Sequence, residues 1–176
     1  ISHPTQGLLD LLTIEQTKQS FENLIVTIVG DIAHSRVARS TAHGLTIMGV
    51  KELRLVSPKE FAPHENITPI AKHYTDLHDG IEGADVVMAL RIQHERINDA
   101  NNLNLEDYIE NYRLTDKNMN IAAPDAIIMH PGPMNRDVEI ESSLADGKQS
   151  VILRQVSNGV AVRMALLNEL AKNHGT

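Results

Sequence analysis

The sequence predicts a doubly wound α/β domain, with a mostly parallel sheet and helices on both faces in a Rossmann-like three-layer arrangement. Three observations carry this reading. Short runs rich in β-branched residues recur along the chain, at NLIVTIVGD (23–31), ELRLVSP (52–58), ADVVMAL (84–90) and AIIMH (126–130). The first of these runs is apolar almost throughout instead of alternating, as a strand covered on both faces is. The stretches between them carry helical periodicity, so each strand-helix-strand step implies a right-handed crossover.

The elements follow in order. Residues 4–20 predict a helix, with Leu8, Leu9, Leu11, Leu12 and Ile14 gathered on one face and Pro4 tolerated in the first turn. After the first strand, residues 34–48 give a second helix with Val37, Ala38, Ala42, Leu45 and Met48 on one side. The second strand ends in Ser-Pro, and 64–83 reads as a loop, a short strand near Ile70 to Tyr74 and a weak helix. Residues 104–113 and 115–122 look helical and polar on one side, and a closing helix runs from Asn158 to Asn173. No repeat or linker-like break divides the 176 residues, which is a length suited to one domain.

Composition narrows the function. Hydrophobic residues at 41% and charged residues at 22% are ordinary for a folded soluble chain. A net charge of −7, aromatics at 3% and no Trp disfavour nucleic-acid binding. No apolar run is long enough to span a bilayer, so no membrane association and a cytoplasmic location are expected. Without cysteine there are no disulfides or thiolate metal sites, and the nine histidines show neither HxH nor HxxxH spacing, so no metal is expected. The first residue is Ile and not Met, which suggests a processed or truncated chain.

In open parallel sheets ligands collect beyond the carboxyl ends of the strands. Three loops there carry arginine: GDIAHSR, LRIQHER and HPGPMNR. The first has the place of a dinucleotide phosphate loop without its glycines, since Ile32 and Ser35 stand where glycine is needed. Arg36 reads either as a carboxylate or phosphate seat at a helix start or as a solvated first-turn residue. Arg91 and Gln93 follow a strand end; Glu95 is spaced to pair with Arg91, either orienting it or forming a surface ion pair, and Arg96 is left to bridge elsewhere. His3 and Gln6 share a helix face, a histidine able to donate to a carbonyl oxygen and an amide able to do both. The prolines of HPGP withhold N–H groups, leaving the carbonyls of Pro131 and Gly132 as acceptors for an N–H-bearing ligand, although structural punctuation explains the prolines equally well.

Taken together, HPTQGLLDLLTI, VGDIAHSRVARS, LRIQHER and HPGPMNRDVEI, followed by QVSNGVAVRMALL, closely resemble the aspartate-binding half of the aspartate carbamoyltransferase catalytic chain. The resemblance covers essentially all of residues 1–176 and implies transfer of a carbamoyl group from carbamoyl phosphate to aspartate in pyrimidine synthesis, without cofactor or metal. It implies that His3 polarises the carbamoyl oxygen, and that Gln6 with the backbone oxygens of Pro131 and Gly132 holds the carbamoyl nitrogen. Arg36 would take the α-carboxylate of aspartate; Arg91 and Gln93 would take its side-chain carboxylate, with Glu95 orienting Arg91 and with Arg96 and Arg136 in support.

It also implies a homotrimer and a preceding carbamoyl-phosphate domain with a Ser-Thr-Arg-Thr-Arg signature. Nothing in this sequence matches that signature, so little or no activity is expected of these residues alone. Leu8, Leu11, Val160 and Leu167 are expected to include residues covered in a complete enzyme, which favours self-association. Asp137, where family members often carry glycine, would place a negative charge beside Arg136. The alternatives are an ornithine-type carbamoyltransferase, whose His-Cys-Leu-Pro and Ser-Met-Gly motifs are not found here, and an inactive binding or assembly module.

Overall fold

The computed structural model describes residues 2–65, 67–92 and 104–173. Its centre is a five-stranded sheet in the order β3-β2-β1-β4-β5, parallel at every pairing. The strands are β1 (Ile25–Val29), β2 (Glu52–Val56), β3 (Ala71–Tyr74), β4 (Val86–Ala89) and β5 (Ile127–Met129). Around them lie α1 (Pro4–Lys18), α2 (Arg36–Ile47), α3 (Leu77–Ile81), α4 (Leu105–Tyr112), α5 (Asp116–Met119), α6 (Ser142–Ala145) and α7 (Ile152–Asn173).

The apolar runs of β1, β4 and β5 have a direct cause. Alternate residues of a strand point to opposite faces, and here both faces are covered. Val26 and Ile28 of β1 pack with Ile14 of α1 and with Ala38, Ala42 and Leu45 of α2. Val29 joins the opposite layer, with Leu77 and Ile81 of α3 and Tyr108 and Tyr112 of α4. Thr27 sits fully buried among them because its hydroxyl donates to the Gly80 carbonyl at 2.8 Å, which satisfies the one polar group in the strand's side chains.

The chain builds outward from β1 in one direction through β2 and β3, then crosses to the other side through β4 and β5. The order therefore reverses between β1 and β4, and the crevice beyond their carboxyl ends is the place where such sheets receive ligands. Gly30 holds the mouth narrow. Its φ of +132° suits glycine, its N–H donates to the Val56 carbonyl, and a Cβ there would lie 3.0 Å from that of Leu90.

Several sequence expectations are corrected. The closing helix begins at Ile152, six residues before Asn158, because Val151, Ile152 and Gln155 are buried against the sheet. The polar residues among them had hidden that face. The 115–122 helix is a single turn over Asp116–Met119, fixed by a reciprocal capping box between Thr115 and Asn118. The buried face of α1 is Gln6, Gly7, Leu9, Asp10, Thr13 and Ile14, while Leu8 is 45% exposed. Met48 likewise faces solvent, and Thr41 takes an inward position on α2.

Candidate functional site

Each loop at the crevice is shaped by its own sequence. After β1, the Asp31 carboxylate accepts from the His34 backbone N–H at 3.1 Å and lies 2.9 Å from His34 Nδ1, folding the turn that leads to α2. Ser35 caps that helix, its hydroxyl accepting from the Ala38 N–H at 3.0 Å. Arg36 is the first helical residue, where backbone N–H groups and a guanidinium both favour an anion.

After β5, His130 is buried and works inward. The Gly132 N–H donates to its Nδ1 at 2.9 Å, so the ring proton is on Nε2, facing Glu139 Oε1 at 3.1 Å. Glu139, 1% exposed, also accepts from the Asn135 N–H. Asn135 in turn donates through Nδ2 to the Ile92 carbonyl at 2.8 Å, tying the HPGP loop to the residue that follows Arg91. Gly132 has a φ of +66°, in the left-handed region, and a Cβ there would meet nothing within 4 Å. Its backbone is open to a ligand.

These loops enclose a cleft of about 520 Å³ lined by residues that include Asp31, Arg36, Leu90, Arg91, Pro131 and Gly132. Four of the residues singled out from the sequence thus meet at one place. Neither Arg36 nor Arg91 forms an ion pair with another described residue. By contrast Arg39 is tied to the Ala33 carbonyl and Arg54 to Glu52.

His3 lies at the head of α1, its N–H donating to Ser40 Oγ at 2.8 Å. Partial burial, then the charges of Arg36 and Arg163, pull its pKa below the ordinary histidine value, which favours a neutral imidazole beside two cations. Spacing alone does not single out Arg163, whose one signal in the sequence is its place in QVSNGVAVRMALL.

Gln6 stands behind the cleft and not in its wall, 5% exposed, with Nε2 donating to Asp10 Oδ1 at 2.9 Å. Asp10 also accepts from Thr41 Oγ1 at 2.8 Å and from Gln155 Nε2 at 3.0 Å, and Gln155 Oε1 accepts from the His130 N–H at 2.9 Å. Burial pushes the Asp10 carboxyl up to about 6, with the three hydrogen bonds opposing the shift.

Arg136 is placed elsewhere. Its guanidinium forks onto Asp146 at 2.7 and 2.9 Å, outside the residues that line the cleft. Asp137 adopts φ +64°, a conformation that explains a preference for glycine, and its carboxylate caps Ser142 through the N–H and the hydroxyl. Gln93, Glu95 and Arg96 lie outside the described residues.

The fold and cleft define an α/β ligand-binding domain that presents, at the switch point of a parallel sheet, two arginines with no ion pair to another described residue. The family described as aspartate/ornithine carbamoyltransferase, Asp/Orn binding domain, matches residues 22–170, and the chain belongs to that family. An aspartate carbamoyltransferase catalytic subunit from Ruthia magnifica subsp. Calyptogena magnifica is 51% identical over 171 residues, covering 96% of this chain and 53% of that protein. The chain thus spans about half the length of that curated relative. Aspartate transcarbamoylase from Trypanosoma cruzi, solved with carbamoyl aspartate and phosphate, superposes with a TM-score of 0.82 at 25% identity, covering 94% of this chain and 55% of that one. Ornithine carbamoyltransferase from Thermus thermophilus gives a TM-score of 0.81 at 21% identity, covering 94% and 54% of the two chains, a likeness of fold alone.

Proposed function

We propose that this domain binds aspartate for carbamoyl transfer from carbamoyl phosphate, as the acceptor half of an aspartate carbamoyltransferase serving pyrimidine biosynthesis in the cytoplasm. The observation that carries the reading is the pair of arginines, Arg36 and Arg91, lining one cleft without a carboxylate partner among the described residues. A dicarboxylate supplies both missing charges. Ornithine, with a cationic side chain, would be repelled by the second guanidinium, and the relative from Ruthia magnifica is an aspartate enzyme.

In the reaction the neutral α-amine of aspartate attacks the carbamoyl carbon, a C–N bond forms, the C–O bond to phosphate breaks, and the amine loses a proton. Charge gathers on the carbamoyl oxygen as the tetrahedral centre forms. A neutral His3, flanked by the charges of Arg36 and Arg163, suits donation to that oxygen. The carbonyls of Pro131 and Gly132, which line the cleft, accept from the carbamoyl NH₂; the resemblance adds the Oε1 of Gln6, whose Nε2 is taken by Asp10. Positioning and electrostatic stabilisation supply the catalysis, and the departing phosphate is one acceptor for the proton.

The relatives are about twice as long, and no stretch of this sequence resembles the Ser-Thr-Arg-Thr-Arg phosphate signature. We therefore assign the remaining contacts to carbamoyl phosphate to other chain segments and, as the resemblance implies, to neighbouring catalytic chains of a trimer. The 176 residues alone are expected to give no N-carbamoylaspartate above the uncatalysed rate. The test is calorimetric titration of the full-length protein, saturated with carbamoyl phosphate, with succinate as an unreactive dicarboxylate. Arg91→Ala is expected to weaken binding by roughly 10- to 100-fold, the worth of about 1.5–3 kcal/mol for charge-assisted hydrogen bonds. Unchanged affinity would remove the dicarboxylate reading and favour an assembly module.

A further inference from the structure

Three helices distant in sequence meet on one buried carboxylate. Asp10 of α1 is fully buried, with no lysine or arginine among its hydrogen-bond partners. Its Oδ1 receives the side-chain amides of both Gln6 and Gln155, and its Oδ2 receives the hydroxyl of Thr41. Burying an ionisable group without a counter-charge is costly, and a leucine would fill the same space without that cost. The geometry points to what the carboxylate supplies.

A glutamine amide is nearly symmetric in shape, and its two ends differ only in donating or accepting. A carboxylate accepts only. Facing Asp10, Gln6 must turn Nε2 to the carboxylate, and Oε1 is the end left to accept a further hydrogen bond. Gln155 is oriented by the same oxygen, so its Oε1 is the end that receives the His130 N–H. His130 is the residue before Pro131 and Gly132. One carboxylate thus sets the polarity of Gln6 and anchors the loop that carries the two carbonyls.

We propose that Asp10 is a positioning residue for carbamoyl transfer: it fixes Gln6 as an acceptor and, through Gln155, holds the Pro131 and Gly132 carbonyls, so that all three acceptors converge on the carbamoyl NH₂. This rests on the transferase reading given above. Asparagine would serve less well, because it can present either oxygen or NH₂ to the two glutamines and so permits them to flip.

The test is steady-state kinetics on the full-length protein with Asp10→Leu, Asp10→Asn and, as a control, Thr13→Val. Thr13 lies on the same buried face, bonded to the Leu9 carbonyl and Asn158, and has no link to Gln6 or His130. Asp10→Leu is expected to raise KM for carbamoyl phosphate tenfold or more while KM for aspartate, measured at saturating carbamoyl phosphate, moves less than threefold. Asp10→Asn, which can keep an oxygen at Oδ1, should recover most of that loss, and Thr13→Val should leave both KM values in place. If Asp10→Leu does not fold, Gln155→Met removes the anchor on His130 and is expected to raise the same KM by severalfold.

A double-mutant cycle with Gln6→Met adds a reading that a merely structural role would not move. The effects of Asp10→Leu and Gln6→Met should be strongly non-additive if one acts through the other. Additive effects, or a uniform fall in activity tracking lost stability, would overturn the positioning role. An unsubstituted full-length protein that makes no N-carbamoylaspartate would overturn the transferase reading instead, and the two failures are distinguished by that parent measurement alone.

Discussion

Helices α1 and α7 are inverted relative to α2. On α2 the buried residues are mostly apolar, Ala38, Ala42 and Leu45 with Thr41. Where α1 and α7 meet, Gln6, Asp10, Thr13, Gln155 and Asn158 are buried, while Leu153, Val156, Val160, Met164, Leu167 and Leu170 of α7 are all more than half exposed. The difference separates two uses of a helix. The hydrophobic effect is non-directional, so α2 is held mainly by burial, with the Thr41–Asp10 hydrogen bond among its few directional ties. Hydrogen bonds between α1 and α7 fix rotation and register, because Asp10–Gln155 and Thr13–Asn158 are satisfied in one arrangement only.

If directional contacts hold the site side of the molecule, cutting one there should cost more than a surface contact does. Glu139→Leu gives the largest expected effect. It leaves the His130 Nε2–H and the Asn135 N–H without their acceptor, two buried or half-buried donors, for a loss of about 3–5 kcal/mol in urea unfolding. A loss below 1 kcal/mol would mean that water or a rearranged loop replaces the carboxylate. The surface pair Arg136–Asp146 is the contrast: both partners are exposed and screened by solvent, and Asp146→Ala should leave the urea midpoint essentially unmoved.

Asp10 gives the next effect, with a defined sign. Its folded pKa of about 6 lies above an ordinary value of 3.8, so ionising it in the folded state is uphill, by about 3 kcal/mol. That protonation-linked stability is fully present below pH 3.8 and is lost as pH rises through 6. The stability of Asp10→Asn relative to the parent should therefore rise between pH 4 and pH 7 by roughly that amount. Parallel stability curves for the two proteins over this range would show that Asp10 is solvated after all.

The same comparison accounts for what the sequence discloses. Burial on both faces forces continuous apolar strands, so β1, β4 and β5 stand out in NLIVTIV, DVVMA and AIIM, whereas ELRLV alternates and the edge strand AKHY carries no apolar run. Arg36 and Arg91 are visible because each directly follows a strand-end loop or strand. The buried polar contacts are not, because Asp10 and Gln155 are separated by 145 residues and each looks like part of a solvated helix face. Gln155 and Asn158 also disguised the start of α7, since periodicity counts apolar residues and these two are polar and inward. The place of Arg136 in HPGPMNR points toward the site, yet the left-handed turn at Asp137 and the acid at Asp146 fix it outside.

The exposed stripe of α7 carries the smallest expected effect on stability and the clearest one on association. Leu153, Val156, Val160, Met164, Leu167 and Leu170 recur every three or four residues and make a continuous apolar band. Leu8 of α1 and Ile47 and Met48 of α2 are also exposed, so the apolar area is not confined to one helix. An area of this kind drives association because burying each side chain removes it from water, at about 25 cal/mol per Å². No partner in the interior of the domain depends on Leu167, which is 68% exposed. Leu167→Lys should therefore leave unfolding stability within about 0.5 kcal/mol while shifting sedimentation of the 176-residue chain toward monomer. A monomer before substitution would show that polar neighbours such as Arg154 and Arg163 already suffice to keep the band apart from its copies. A stability loss above 1 kcal/mol would show that the band is packed within the domain, and the inversion of α7 would then be only partial.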